Sequence, residues 1–197
     1  VANNVSTIAG LEANSDSSRA AIQAIGANAS VQVNGTALTD ATFFEPPNSA
    51  TIIVIATNGD ASAIVNNLTA RGEGVDALRV TATNNATATI NGQVTASGDR
   101  AEGVYVEAGN TAVVTLATIG SVVSPDLGIV LISGNGSTLN NAGIIANSIN
   151  GVAVAAFGGP LTINNSGTLT SDILFTAGAD RVNNSGTFIA DVDADFG

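Results

Sequence analysis

The sequence predicts an all-β fold: a right-handed, single-stranded parallel β-helix of about seven coils, each of roughly 19–30 residues. Three observations predict it. The first is a repeat. Ile163–Leu169 reads INNSGTL and Val182–Phe188 reads VNNSGTF, with looser copies at Leu139–Ile144 (LNNAGI), Ile90–Val94 (INGQV) and Val33–Leu38 (VNGTAL). Asn140 and Asn164 are 24 residues apart and Asn164 and Asn183 are 19 apart. The interval from Asn91 to Asn140 holds two turns, with a degenerate copy around Thr115. A unit of this length cannot bury its own apolar side and must stack on a neighbour.

The second observation is β-branched alternation after a small residue. Glu73–Leu78 (EGVDAL), Glu102–Val106 (EGVYV), Asp126–Leu131 (DLGIVL), Asn150–Val154 (NGVAV) and the shortened Asp172–Phe175 (DILF) are the copies. They place Val75, Val104, Ile129, Val152 and Ile173 at one equivalent position. The third is composition. Hydrophobic residues make up 45% of 197, aromatics only 4% and charged residues 11%. The core is therefore aliphatic, and the surface is mostly neutral Asn, Ser and Thr, a strand-and-turn mixture.

The elements follow in order. Residues 14–26 (NSDSSRAAIQAIG) align with the second segment type and form an early coil, with Ile22 inward. Residues 39–50 (TDATFFEPPNSA) break the rhythm and predict an inserted loop carrying Phe43, Phe44, Glu45, Pro46 and Pro47. Insertions in solenoids project sideways and often bind, so these five are the candidate binding residues; the bland alternative is a hydrophobic flap folded onto the stack. Beyond it, a short apolar piece leads into each Asn-Gly turn: Thr87–Ile90, Ala112–Val114, Ser137–Leu139 and Leu161–Ile163. Alternation sends Leu161 and Ile163 inward and Thr162 outward, and Phe188 inward. The Gly residues supply corners that need positive φ or close backbone approach, and the Asn residues stack their amides between coils. The whole of 1–197 reads as one domain. Its start at Val1 without a Met, and its uncapped acidic end, predict a piece of a longer chain.

Charge and missing residue types exclude much chemistry. A net charge of −11 with no Lys argues against nucleic acid and an anionic membrane surface as partners. Cys and His are absent, so there is no disulfide framework and no His-assisted nucleophile. Zinc and iron lose their usual ligands. Carboxylate chemistry with Arg remains. Arg71, Glu73, Asp76, Asp99, Arg100, Glu102 and Asp126 are the nearest constellation. Stacking predicts Glu73, Glu102 and Asp126 near one corner on successive coils. There they are neutralised by Arg71 and Arg100, splay into water, or hold a divalent cation such as Ca2+. No cofactor is otherwise implied. Asp191, Asp193 and Asp195 alternate, but the remaining EF-hand positions are missing, so an exposed acidic strand is predicted. Sequons such as those at Asn135, Asn164 and Asn183 follow from the repeated turn. The pairs Thr81/Thr83, Thr87/Thr89 and Thr168/Thr170 suggest an ice-binding array, but the registers assignable from sequence do not keep Thr on every coil.

The segments Asn165–Leu169 (NSGTL), Asn184–Phe188 (NSGTF), Gly103–Val106 (GVYV) and Gly151–Val154 (GVAV) resemble the passenger region of Gram-negative autotransporters. The likeness covers most of 61–190 and, more loosely, the first 60 residues. It implies a virulence-type adhesin at the extracellular face of the outer membrane, linked to a membrane barrel outside this chain. Its partners would be a host or neighbouring cell surface, or further copies of itself. The expected function is thus a non-enzymatic, secreted adhesin stalk. The alternatives are a subunit of an extracellular filament or surface layer, and a polysaccharide lyase or hydrolase built on carboxylates.

Overall fold

The computed structural model describes residues 3–8, 13–15, 20–40, 49–147 and 151–190, and among these it contains strands and no helix. The first elements are β1 (Asn3–Ile8), β2 (Ala13–Ser15), β3 (Ile22–Gly26), the long β4 (Asn28–Asp40), β5 (Ser49–Ala56) and the long β6 (Ala61–Arg71). Strands then recur in threes: β7 (Val75–Ala82), β8 (Ala86–Ile90) and β9 (Gln93–Ala96), then β10 (Glu102–Ala108), β11 (Thr111–Leu116) and β12 (Ser121–Ser124). The third set is β13 (Leu127–Ser133), β14 (Gly136–Asn141) and β15 (Ile144–Asn147). The fourth is β16 (Val152–Gly158), β17 (Leu161–Asn165) and β18 (Thr168–Thr170), and the last is β19 (Asp172–Leu174), β20 (Arg181–Asn184) and β21 (Thr187–Ile189).

Among the described residues every pairing is parallel. One face is a seven-stranded sheet in the order β19-β16-β13-β10-β7-β5-β3. The second face runs from β6 through β8, β11, β14 and β17 to β20, and the third from β6 through β9, β12, β15 and β18 to β21. These two are joined because β6 turns the corner: Ala61–Val65 pair with β8, and Leu68–Ala70 pair with β9. An all-parallel, nearly closed arrangement of this kind is compatible with a solenoid.

Each face sends an aliphatic column inward. Leu78, Val104, Ile129, Val154 and Ile173 are successive partners on the first face. Ala88, Val114, Leu139, Ile163 and Val182 stack on the second, and Val94, Val122, Ile145, Leu169 and Phe188 on the third. Most are fully buried, each contributing about 1.5–3 kcal/mol of transfer free energy. Leu161 and Ile163 are buried and Thr162 is partly exposed, as alternation predicts, and Ile22 lies in the core.

Two expectations need correction. Val75 and Val152 do not share a position with Val104 and Ile129. Val75 pairs with Ser49 and Val152 with Leu127, while Leu78 and Val154 take the equivalent places. The corners differ in length, so the small residue that opens each segment is not a fixed distance from the inward position. The predicted insertion is also too wide: 39–40 end β4 and 49–50 begin β5. Residues 41–48, with Phe43, Phe44, Glu45, Pro46 and Pro47, lie outside the described residues, as do Asp191, Asp193 and Asp195.

Gly74 and Gly158 take positive φ, 72° and 89°, whereas Gly143, Gly167 and Gly186 answer to space. A Cβ on Gly143 would lie 2.0 Å from the Gly120 carbonyl oxygen, one on Gly167 2.1 Å from that of Gly143, and one on Gly186 2.1 Å from that of Gly167. Coils can stack here only if each turn presents a bare Cα to the carbonyl below. Gly167→Ala should therefore lower the stability of the chain by about 2–4 kcal/mol, because a backbone has to move. A urea denaturation midpoint unchanged from the parent would contradict this packing.

Candidate functional site

Two polar features stand out from the aliphatic stack. The first is a charged cluster at the start of the first face. Asp76 is 5% exposed. Its Oδ1 accepts the backbone N–H of Glu102 at 3.0 Å, and Arg79 Nη1 donates to its Oδ2 at 3.2 Å. The Arg79 guanidinium lies 3.7 Å above the ring of Tyr105, its register partner on the next strand. Tyr105 in turn donates its hydroxyl to Glu107 Oε2 at 2.9 Å.

Burial outweighs these partners. It raises the Asp76 carboxyl to about 6 despite the Glu102 N–H and Arg79. It raises Glu102 to about 8, with repulsion from Asp76 and Asp126 adding to the effect and Arg79 opposing it. It raises Tyr105 to about 12, helped by the hydrogen bond to Glu107. Glu102 Oε2 is buried without a hydrogen-bond partner. Two carboxyls that share one guanidinium in a desolvated corner do not both ionise at neutral pH.

The sequence-derived trio is brought together only in part. Glu102 lies beside Asp76 and near enough to the exposed Asp126 to feel its charge, whereas Glu73 is exposed on the preceding turn. Among the described residues no group of three carboxylates is placed to hold a metal ion. The counter-ions differ as well. Arg71 reaches Asp40 at 3.4 Å, and Arg100 sits exposed at a corner with φ 59°, so Arg79 provides the charge in the cluster. Sequence reasoning passed over Arg79 because it occupies an ordinary outward position of a strand. Its registry with the chain's only Tyr becomes evident once the strands are paired.

The second feature is built from asparagine. In the pairs Asn140-Asn141 and Asn164-Asn165 alternation points the first amide out and the second in. The inward column runs from Ile90 and Leu116 into Asn141, Asn165 and Asn184, so the aliphatic core gives way to amides at this corner. Asn141 is 1% exposed and Asn165 is 2%. Asn141 Nδ2 donates to Asn165 Oδ1, and Asn165 Nδ2 donates to Asn184 Oδ1, both at 2.7 Å. The same two amides also donate to the Thr168 and Thr187 carbonyls at 3.1 Å, and Asn141 Oδ1 accepts the Gly143 N–H. These bonds satisfy the polar groups that the turn would otherwise bury unpaired.

The outward column is Asn140, Asn164 and Asn183. It carries a ladder of opposite sense, Asn183 Nδ2 to Asn164 Oδ1 at 2.8 Å and Asn164 Nδ2 to Asn140 Oδ1 at 2.9 Å. Both columns line a groove of about 540 Å3, with Thr115, Ser166 and Ser185 alongside. Another amide ladder marks the opposite end of the second face: Asn135 donates to Asn110, Asn110 to Asn85, and Asn85 to Asp60.

Thr residues are partly aligned. Thr87, Thr138 and Thr162 share one outward column with Val113 between them, and Thr89 and Thr115 precede the outward asparagines in the other. Thr81 lies on the first face, and Thr168 and Thr170 lie on the third. No face carries Thr on every described coil.

Compared with known proteins, the chain matches no family model, no curated protein and no solved structure.

Stability should depend on pH in one direction. Asp76 and Glu102 are harder to ionise folded than unfolded, so the folded state binds more protons than the unfolded one between about pH 4 and 8. Their contribution is complete below that range and is lost as pH rises through it. Glu102→Gln should flatten the upper part of the decline in a urea-midpoint series, whereas an unchanged slope would contradict the buried-acid assignment. Replacing the buried amide is a separate test. Asn165→Leu removes the acceptor of one Asn141 N–H and the side-chain donor to the Thr187 carbonyl, and should cost about 1–3 kcal/mol for each buried group left unpaired. A midpoint equal to that of the parent would show that the inner ladder is dispensable.

Proposed function

We propose that the chain forms the shaft of a secreted, cell-surface adhesin, in the manner implied by its likeness to autotransporter passengers. In this reading the solenoid is right-handed, the hand that nearly all parallel crossovers take, with about seven coils matching the seven strands of the first face. The protein has no catalytic task. It holds a broad contact surface away from the membrane, and affinity comes from many weak hydrogen bonds rather than from a pocket for reaction.

The observation that carries this reading is the outward surface of the second face. From β6 through β8, β11 and β14 to β17, the paired segments contain Ser, Thr, Asn, Ala, Val, Ile, Leu and Gly and no charged residue. Within a chain of net charge −11, an uncharged face several coils long suits close contact with another surface. The stiffness of the stack, in which neighbouring coils bond to each other along whole strands, suits a stalk.

A filament subunit is the second reading. The same uncharged second face favours it, since it would serve equally for contact between copies of the chain. A carbohydrate-cleaving role would rest on Glu102 and Asp76, and Glu102→Gln would abolish it.

Beads coated with the chain should attach to bacterial or epithelial cells, saturably, and soluble chain should compete. Retention no better than that of albumin-coated beads would overturn the adhesive reading. So would Glu102-dependent loss of viscosity from a polysaccharide solution. Concentration-dependent fibres in electron micrographs, without cell attachment, would favour the filament.

A further inference from the structure

We infer that the asparagine groove is a binding site for a neutral, unbranched oligosaccharide lying along the stacking direction. This rests on the adhesive reading and names its ligand class.

The argument begins with the hydrogen bonds that the outer column leaves unused. A primary amide offers two N–H donors and two acceptor lone pairs. Asn164 spends one N–H on Asn140 and one lone pair on Asn183. Asn183 spends one N–H on Asn164 and accepts from Arg181 Nε at 2.9 Å. Each therefore retains one donor and one acceptor, and both side chains are exposed. The ladder also fixes where these groups point, so little ordering cost remains to be met on binding. The inner column contributes rigidity rather than contacts, since its amides are committed to one another and to turn carbonyls.

The repeat of this pattern selects the ligand. Donor-acceptor pairs recur once per coil, at the ~4.8 Å separation of hydrogen-bonded strands. That step is comparable to the length of one pyranose unit in an extended glycan. Sugar hydroxyls both donate and accept, which matches an amide that keeps one of each. Ser166 and Ser185 add hydroxyls on the same groove, their own protons directed to the Asn141 and Asn165 carbonyls.

Charge narrows the class further. The described residues lining the groove are Asn, Ser, Thr, Leu and Ala, none of them ionisable at neutral pH. A uronate or sulfated glycan would lose solvation of its charge without gaining a cation, apart from Arg181 at one end, which is engaged with Asn183. A volume of about 540 Å3 suits a short oligosaccharide segment. Among the described residues no aromatic ring lines the groove, so binding depends on hydrogen bonds together with weak apolar contact from the walls, without ring stacking. Dissociation constants on the order of 0.1–1 mM per site follow for such contacts, with higher apparent affinity when many shafts engage one polymer.

The test titrates the whole chain with hexasaccharides of β-1,4-glucose, β-1,4-xylose, α-1,4-glucose and β-1,4-mannose, with hexagalacturonate as the charged control. Side-chain amide NMR signals report on the groove. At least one neutral hexasaccharide should shift the signals of Asn140, Asn164 and Asn183, saturably, while hexagalacturonate does not. Asn164→Leu, an exposed change, should weaken binding at least tenfold, and Asn140→Leu should weaken it independently. Thr87→Leu, on the same face outside the groove, should leave it unchanged. The inference is overturned if no neutral hexasaccharide shifts these signals, if Asn164→Leu binds like the parent, or if hexagalacturonate binds best. Cell attachment by coated beads in the absence of saccharide binding would overturn this inference alone and leave the adhesive reading intact.

Discussion

The structure depends on one constraint: each coil must hydrogen-bond its backbone, residue by residue and in parallel, to the coil before and the coil after. Strand pairing between coils is the means by which an aliphatic chain without disulfides and with few ion pairs is held together. It explains why identical or similar side chains line up in columns. The inward columns fill with Val, Leu and Ile, and the corners with amides that can bond along the axis as the backbone does. Turn glycines stack because a Cβ would collide with the carbonyl of the preceding turn. The same constraint dictates where irregularity can occur. Between β16 and β19 the interval shortens, and the change is absorbed as a register shift between Val152 and Val154. Between β4 and β6 the interval is longer, with a shift between Val33 and Thr36, yet pairing resumes on both sides.

Buried polar groups show how the stack deals with what aliphatic columns cannot satisfy. The inner asparagine ladder does so: donors and acceptors alternate along the axis, and Asn141 and Asn165 also serve a turn. The Asp76–Glu102 corner does so only in part. One guanidinium serves two carboxyls, one oxygen of Glu102 has no partner, and protons make up the difference. The two solutions differ in their response to conditions. Amide ladders are indifferent to pH, whereas the acid corner makes local stability a function of it.

Much of the architecture was legible in the sequence because alternation and repetition are local signals. Leu161, Ile163 and Ile22 could be placed inward from their neighbours alone, and the interval between Asn140 and Asn164 matched the pairing observed. Register was less legible. Counting from the small residue at the head of each segment aligned Val75 with Val104, although Leu78 is the partner, because a corner can gain or lose residues without disturbing the strands it joins. Sites suffered most from this. Glu73 was aligned with Glu102 by the same miscount, so the true neighbour, Asp76, stayed in the wider constellation and its counter-ion, Arg79, was left out of it. The doubled asparagines at 140/141 and 164/165 held a signal that went unused: in a strand, alternate residues share a face, so the Asn two places after the inward Leu139 or Ile163 had to enter the core with it. The groove could not be read at all, since it is formed by side chains some twenty residues apart whose nearness is a property of the stack.

Uncharged columns, a stiff axis and a groove with spare amide groups all follow from coils in register, and the functional reading stands or falls with that register. The absence of cysteine allows it to be measured directly. Thr87 and Val113 are outward-facing partners on β8 and β11, and neighbouring strands stand ~4.8 Å apart, within the range that a disulfide spans. Under mild oxidation the double variant Thr87→Cys/Val113→Cys should form an intramolecular disulfide rapidly. Thr87→Cys/Thr115→Cys, two residues out of register and ~7–8 Å apart, should not. Equal cross-linking of both pairs, or of neither, would contradict the stacked account.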